Sequence, residues 1–221
     1  MSIFGSPNAW LDLLEQSLPD LLELVVETWQ GMSGPLTSEK EDKITESLCS
    51  ALRKNRTLRD LPFLVDTQWV ELEPAPGQKQ GRLDIAFRPT GIAGSPNEDI
   101  YFCLECKRLN FQKGKKRVPG GSEYVKDGMM RFVAKQYAKA VKHGGMLGYV
   151  LDGNVTEAIK NVEVNVRKKC VTLYMDSPGL LHSSSILSHV STARESFHQR
   201  DGEVVKFRIH HLFMEADGLF T

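Results

Sequence analysis

The chain has 221 residues, of which 41% are hydrophobic and 25% are charged, and this composition excludes a wholly disordered or fibrous protein. Its longest apolar tract, near residues 21–26, is far shorter than the ~20 residues that cross a bilayer, so no membrane partner is expected. Twenty-eight basic residues balance 28 acidic ones, and at first sight this net charge of zero argues against a nucleic-acid partner, because such domains tend to be basic.

The N-terminal region is predicted to be an acidic helical extension covering residues 1–35. Apolar residues recur at helical spacing over residues 8–31, and Pro19 is expected to split or kink this helix. The segment has five acidic residues and no basic one. It begins without a basic residue ahead of a hydrophobic run, so we expect no signal peptide and a cytoplasmic protein.

A second helix is predicted to start near Ser38 and to end near Asn55. Ser38 followed by Glu41 has the spacing of a capping box. Ile44, Leu48 and Leu52 form the apolar stripe that would face the core.

Three strands are predicted next, over residues 63–72, 81–87 and 99–109, with a loop at 89–97. Alternation puts Glu105 and Lys107 on one face of the third strand. Cys103 and Cys106 spell CxxC in that strand, where positions i and i+3 point to opposite faces and cannot hold one metal. We therefore expect reduced thiols.

The remainder of the chain continues the alternation of helices and strands. It is predicted to hold a basic loop at 110–121, a long helix at 122–143, a strand at 146–151, a helix at 155–168, and strands at 170–175 and 204–213. The chain is thus expected to be an α/β domain over residues 36–221, with a central mixed β-sheet flanked by helices. The histidines, including those of the Ser-rich stretch, are not expected to be catalytic.

Acidic and basic side chains on apolar strands are the strongest chemical signal. Glu105 and Lys107 are costly to bury unless each has a partner. If the second and third strands form a hairpin, Asp84 comes beside Glu105, and two adjacent carboxylates are usually reconciled by a divalent cation. A neighbouring lysine can orient or deprotonate a water, which is the arrangement for metal-assisted phosphodiester hydrolysis.

Asp84 followed by Glu105-Cys106-Lys107 resembles the signature of the PD-(D/E)xK nuclease superfamily, which has a restriction-endonuclease-like core. The order helix, three strands, helix, strand over residues 38–151 follows that core, and Leu83 replaces the nominal proline. The resemblance implies a Mg²⁺ site, open to Mn²⁺, formed by Asp84, Glu105 and the backbone carbonyl of Cys106. It also implies that Lys107 positions or activates the water.

Helical residues complete the site that the resemblance implies. Many members add an acid from the first helix, for which Glu41 is preferred here to Glu46. The second helix often contributes too, and Gln136 could place the attacking water or hold a phosphate. The other positions of interest there are Tyr124, Gly128, Arg131, Phe132 and Tyr137.

The zero net charge conceals a strong segregation of charge. Residues 1–30 carry −5, whereas residues 105–142 hold eleven basic and three acidic residues, a net charge of +8. The nucleic-acid contacts predicted from this basic stretch are Lys113, Lys115, Lys116, Arg117, Arg131 and Lys135. Nothing in the sequence identifies an element that reads bases.

The sequence therefore predicts a metal-dependent endonuclease acting on DNA, with RNA left open as a substrate. By analogy with compact nucleases, a bacterial restriction or anti-phage defence role is expected. The alternative is a non-catalytic nucleic-acid-binding or scaffold subunit with the same fold. In that case the N-terminal helices would bind a protein partner or a second copy of the chain.

Overall fold

A computed structural model describes residues 6–32, 36, 39–70, 77, 80–92, 99–216 and 218–219. In this part of the chain nine strands are present: β1 (Phe63–Val70), β2 (Arg82–Pro89), β3 (Phe102–Leu109), β4 (Phe111–Lys113), β5 (Lys116–Val118), β6 (His143–Val150), β7 (His182–Ser183), β8 (Ala193–His198) and β9 (Phe207–Glu215). Seven of them form one sheet in the order β1-β2-β3-β6-β9-β8-β7, and β4 and β5 form a separate ribbon.

The central sheet is mixed, as predicted. β1, β2 and β3 are antiparallel neighbours, β6 and β9 extend the sheet in parallel with β3, and β8 and β7 complete it in antiparallel orientation. Helices lie on both faces: α1 (Pro7–Gln30) and α2 (Glu41–Leu58) on one, α3 (residues 121–133) and α4 (Val155–Lys169) on the other. The chain is therefore an α/β protein with a core on each side of its sheet.

Helix α1 continues through Pro19, so of the two predicted effects of this proline, a split or a kink, the split is wrong. The apolar stripe that includes Leu18, Leu21 and Val25 is fully buried, and this packing holds the helix together despite the lost hydrogen bond. Trp29 stacks on Tyr149 of β6 with a centroid distance of 5.2 Å. The acidic N-terminal segment is thus part of the sheet's own core.

Helix α2 starts at Glu41, and its N-cap is Lys40, which makes no capping hydrogen bond through its side chain. Ser38, the predicted cap, lies outside the described residues. Ile44, Leu48 and Leu52 are buried as their spacing predicts.

The predicted helix over residues 122–143 ends ten residues early. α3 comprises a short α-helical turn Gly121–Glu123, a π-helical segment Tyr124–Met129 and a last turn Met130–Val133. Lys135 and Ala138 have φ angles of 55° and 53°, which no helix accommodates. Residues 134–142 are irregular, and they connect α3 directly to β6.

Two further predictions are wrong in the second half of the chain. The basic loop at 110–121 contains the β4–β5 ribbon. Residues 170–175, predicted as a strand, are turns after α4, in which the N–H of Leu173 donates to the carbonyl of Lys169. Strands β7 and β8 arise from the Ser-rich stretch that was not assigned to the sheet.

None of the helices in the described part of the chain combines the length and the apolar character that crossing a membrane requires.

Candidate active site

Asp84 and Glu105 lie across from each other on adjacent antiparallel strands. The pairing of Ile85 with Leu104, continued by one residue, places Asp84 of β2 opposite Glu105 of β3. Oδ2 of Asp84 accepts a hydrogen bond of 2.7 Å from the backbone N–H of Cys106. The structure therefore brings together the two carboxylates that the strand pattern selects.

Lys107 connects this pair to helix α2. Its Nζ donates to Oε1 of Glu105 at 2.7 Å, to Oε1 of Glu41 at 3.2 Å and to the carbonyl of Cys106 at 2.8 Å. The second oxygen of Glu41 accepts from the backbone N–H of Arg108 at 3.0 Å. All three donors of the ammonium group are engaged, so its position is well defined.

Glu41 rather than Glu46 reaches the site. Glu41 is the first residue of α2, at the end of the helix nearest Lys107. Glu46 lies one turn further on and pairs with Lys43 at 2.7 Å on the exposed surface. Because Glu41 is committed to Lys107 and Arg108, it acts here by holding the lysine in place.

Arg131 brings a second cation to Glu105. Its Nη1 donates to Oε1 of Glu105 at 2.8 Å and to the hydroxyl of Tyr137 at 2.7 Å. The Tyr137 hydroxyl in turn donates to the carbonyl of Arg82 at 2.6 Å. The Arg131 side chain is 34% exposed, so its guanidinium contacts both the buried acid and solvent.

The contact between Arg131 and Glu105 escaped sequence reasoning, because the two residues are 26 positions apart. The signal that could have revealed it is Gly128, one helical turn before Arg131. A Cβ at Gly128 would lie 2.4 Å from Cε of Met146 and 3.7 Å from Cγ of Glu105. Glycine avoids this contact with the flexible end of the Met146 side chain where α3 packs against β3 and β6.

The two oxygens of Glu105 have opposite environments. Oε1 receives both cations, whereas Oε2 is buried and has no hydrogen-bond partner in the described structure. An unsatisfied buried carboxylate oxygen is costly, and in native proteins a water, a ligand or an ion usually serves as its partner.

Burial is the main cause of the pKa shifts of Asp84 and Glu105. Burial, and secondly the charge of Glu105, raises the pKa of Asp84 to about 7. Burial also raises the pKa of Glu105, although Lys107 and Arg131 oppose it. Burial thus makes both carboxyl groups favour the neutral form more than a free carboxyl group does.

Burial alone would lower the pKa of Lys107, but the charges of Glu105, Glu41 and Asp84 outweigh it and raise that pKa. Lys107 is thus protonated at neutral pH. In the metal-free site it donates hydrogen bonds and balances charge, and its role in positioning or activating a water stays a prediction.

The described residues contain no group of three or more His, Cys, Asp or Glu side chains arranged to hold a metal. The set implied by the resemblance needs only two side chains, Asp84 and Glu105, together with the carbonyl of Cys106. The unpartnered Oε2 of Glu105 and the raised pKa of Asp84 fit a cation at this point. Hard oxygen donors of this kind are those that Mg²⁺ prefers.

Gln136, predicted to lie on the second helix, lies beyond its end. Its backbone N–H donates to the carbonyl of Arg131 at 2.9 Å, and its Cγ packs beside Gly81 at the start of β2. Lys135, the preceding residue, pairs with Glu203 at 3.1 Å and donates to the carbonyl of Asp201 at 2.6 Å. Lys135 is therefore engaged with another part of the protein.

The remaining predicted nucleic-acid contacts lie on the β4–β5 ribbon. Arg117 pairs with Asp152 at 2.7 Å and with Glu157 at 2.8 Å. The ribbon residues that are exposed and basic are Lys113, Lys115 and Lys116.

The four cysteines have no disulfide, and three of them, Cys49, Cys103 and Cys106, are buried. Sγ of Cys106 accepts a hydrogen bond of 3.4 Å from the Tyr149 hydroxyl on the face opposite Glu105. The prediction of reduced, mostly buried thiols is consistent with this arrangement.

Comparison with known proteins returned no matching family model, no matching curated protein and no matching solved structure.

Proposed function

We propose that this protein is a Mg²⁺-dependent nuclease that hydrolyses phosphodiester bonds in DNA. The observation that carries the proposal is the environment of the Glu105 carboxylate. This carboxylate is buried beside Asp84, receives Lys107 and Arg131 on one oxygen, and has no partner on the other. A cation held beside Asp84 would supply the missing partner of this oxygen.

Asp84, Glu105 and the carbonyl of Cys106 would hold the ion. When bound, Mg²⁺ supplies Lewis-acid stabilisation of phosphate charge and lowers the pKa of a bound water. The restriction-endonuclease-like core is part of the same proposal, supported by the order of α2, β1, β2, β3, α3 and β6.

The residues of the chain have separate tasks in this proposal. Lys107, held by Glu41, Glu105 and the Cys106 carbonyl, places a fixed positive charge beside the attacking water and the phosphate. Arg131 is poised on the solvent side of Glu105, where its exposed portion can contact the negative charge that builds up on the phosphate. Tyr137 keeps Arg131 in that position.

The test is cleavage of supercoiled and linear DNA in Mg²⁺, Mn²⁺ or EDTA. We expect cleavage with either metal, none in EDTA, and a loss of at least 100-fold in Lys107→Met and Asp84→Asn. Lys43→Met and Glu46→Gln, at an exposed ion pair on α2, are the matched controls and should cleave normally.

Cleavage that persists in Lys107→Met contradicts the proposed site. Metal-independent cleavage contradicts the proposed cofactor. DNA binding without cleavage in any metal supports instead a non-catalytic nucleic-acid-binding subunit.

A further inference from the structure

The β4–β5 ribbon is an independent feature of the surface that the catalytic arrangement does not use. It begins two residues after β3 and pairs only with itself, with Phe111 opposite Val118 and Lys113 opposite Lys116. Gly114 and Lys115 form the turn, and Gly114 has a φ angle of 62°. A two-residue turn that starts with a left-handed glycine is the connection that closes a tight hairpin.

The base of the ribbon is firmly attached to the domain. Arg117 donates to Asp152 through Nε and Nη2 and to Glu157 through Nη1 and Nη2. Asn110 donates to Oδ1 of the same Asp152 at 2.9 Å. On the other strand Phe111 is buried, and the guanidinium of Arg108 lies 4.3 Å above its ring. Such anchoring keeps the direction of a short ribbon constant.

Charge is distributed unequally along the ribbon. At the base the two carboxylates compensate Arg117. At the tip five consecutive residues, 112–116, are exposed, and three of them are lysines. The free end is therefore strongly positive, and an anionic ligand is the partner that this distribution favours.

The dimensions of the ribbon suit duplex DNA. Above the anchored base the exposed part of β4 has two residues before the turn, which at ~3.3 Å per residue extend about 7 Å. The major groove is about 8.5 Å deep and 12 Å wide, and it admits a two-stranded β-ribbon. Lysines at the tip would then contact phosphates on both sides of the groove.

We infer that the β4–β5 ribbon binds duplex DNA by entering the major groove, with Lys113, Lys115 and Lys116 as its contacts. Arg117 is then a positioning residue, because it sets the direction of the ribbon from the base. This inference rests on the proposed function, and it names the duplex as the substrate form and the ribbon as the element that holds it.

Binding is measured in EDTA, so that it does not depend on cleavage, by fluorescence anisotropy with a 20-base-pair duplex over a range of salt concentrations. The triple variant Lys113→Ala, Lys115→Ala, Lys116→Ala should bind at least tenfold more weakly. Its salt dependence should be shallower by up to about 2.7 in log–log slope, since each phosphate contact contributes about 0.9. The control with the same change in charge replaces the exposed lysines of α4: Lys160, Lys168 and Lys169.

The role of Arg117 has its own test. The double variant Asp152→Asn, Glu157→Gln removes the anchor while making the protein more positive. If the ribbon binds DNA through its charge alone, this variant should bind more tightly. If the anchor must hold the ribbon in one direction, the variant should bind several-fold more weakly. Tighter or unchanged binding by this variant overturns the positioning role.

The groove is identified by competition. Methyl green, a major-groove ligand, should displace the protein, and a minor-groove ligand such as distamycin should not. Equal affinity of the triple variant and the wild type overturns the inference, as does preference for the single strand or for vesicles containing phosphatidylserine. If the protein cleaves DNA in Mg²⁺ but the triple variant binds DNA as the wild type does, only the binding role of the ribbon is refuted. If binding depends on the ribbon but no cleavage occurs, only the proposed nuclease activity is refuted.

Discussion

Oδ2 of Asp84 accepts its hydrogen bond from the backbone N–H of Cys106, the residue between Glu105 and Lys107. The carboxylate of β2 is therefore tied to the backbone of the strand that carries the other two chemical groups. This bond aligns Asp84 with the site, yet it does not offset the cost of burying the charge, since the pKa of Asp84 is still raised to about 7. The site is built at the expense of stability, as is common where function requires buried charge.

Replacing Asp84 with asparagine should stabilise the metal-free protein. The unfolded carboxyl ionises near pH 4 and the folded one near pH 7, so the wild type loses stability as pH rises through that window. Asp84→Asn keeps an oxygen for the Cys106 N–H and avoids the charge. In urea unfolding we expect a gain of about 2–4 kcal/mol at pH 8 and almost none at pH 4.

Asp152→Asn is the control variant, and its effect on folding stability should be opposite to that of Asp84→Asn. Hydrogen bonds from Arg117 and Asn110 outweigh burial and lower the pKa of Asp152. Neutralising it should therefore destabilise the protein at pH 8, with the difference fading at low pH. If the unfolding free energy of Asp84→Asn changed with pH in the same way as that of the wild type, burial of the Asp84 charge would not be the source of the instability.

Divalent cations should stabilise the folded protein through Asp84 and Glu105. At a free Mn²⁺ concentration 100 times its dissociation constant, the expected gain is about 2.7 kcal/mol, which raises Tm by roughly 5–10 °C. Thermal unfolding with Mn²⁺, Mg²⁺ and EDTA measures this without any substrate. The double variant Asp84→Asn, Glu105→Gln should show no metal-dependent rise.

Glu46→Gln removes one acid from the exposed face of α2 and is the control for general ion effects. It should retain the full rise in Tm. An equal rise in the double variant and the wild type would place the cation elsewhere.

The parts of the fold that the sequence predicts correctly are those whose pattern lies within a short stretch of the chain. The alternation of side chains between two faces along residues 81–87 and 99–109 predicts both β2 and β3. The same alternation predicts that Glu105 and Lys107 lie on one face of β3. The proximity of Asp84 and Glu105 was predicted on the condition that the two strands pair as an antiparallel hairpin, and β2 and β3 do pair in this way across the connection at residues 90–101. Glu41 was the preferred helical acid because it lies on the stripe of Ile44 and Leu48.

The end of α3 has no comparable local signal. Residues 131–142 contain neither glycine nor proline, so a helical pattern persists in the sequence. The chain leaves the helix because distant groups satisfy its backbone. Arg200 donates to the carbonyls of Ala138 and Val141, and the N–H of Ala138 donates to the hydroxyl of Tyr101. These partners lie 37 to 62 positions away, beyond the reach of any periodicity.

Strand β8 was missed for a related reason. Ser196 and His198 read as polar surface, yet both are completely buried. They are tolerated in the core because they hydrogen-bond to each other, and Ser196 also bonds to His211 of β9. Only the pairing of the two strands reveals this.

Tyr137→Phe should impair catalysis more than stability. It removes the hydroxyl that receives Arg131 and donates to Arg82, so Arg131 loses its second support. We expect a loss of about 1 kcal/mol in unfolding free energy and a roughly tenfold lower kcat, with little change in KM.

Tyr101→Phe is the matched control, because its buried hydroxyl accepts from the Ala138 N–H without contacting Arg131. It should lose similar stability and retain its cleavage rate. If both variants lose activity equally, Tyr137 serves the fold rather than the position of Arg131.

The buried histidines should make the protein sensitive to mild acid. The carbonyl of Leu173 can only accept, so Nδ1 of His198 carries the proton and its Nε2 accepts from Ser196. The Ser196 oxygen then accepts from Nε2–H of His211, whose Nδ1 accepts from the hydroxyl of Tyr124. The chain of hydrogen bonds is satisfied with both histidines neutral, in defined tautomers that ¹⁵N NMR can identify, and their burial favours this neutral state.

Burial lowers the pKa of His198 to about 4 and lowers the pKa of His211 well below its ordinary value. Both gain a proton near pH 6.5 when unfolded, so folding stability falls as pH drops below 6.5. At pH 5 the expected loss is about 2 kcal/mol for each histidine relative to pH 8. Urea unfolding should be carried out in the Asp84→Asn background, because the raised pKa of Asp84 has the opposite effect over the same window. Stability in that background that is unchanged or higher at pH 5 would show that the histidines are not held neutral by the fold.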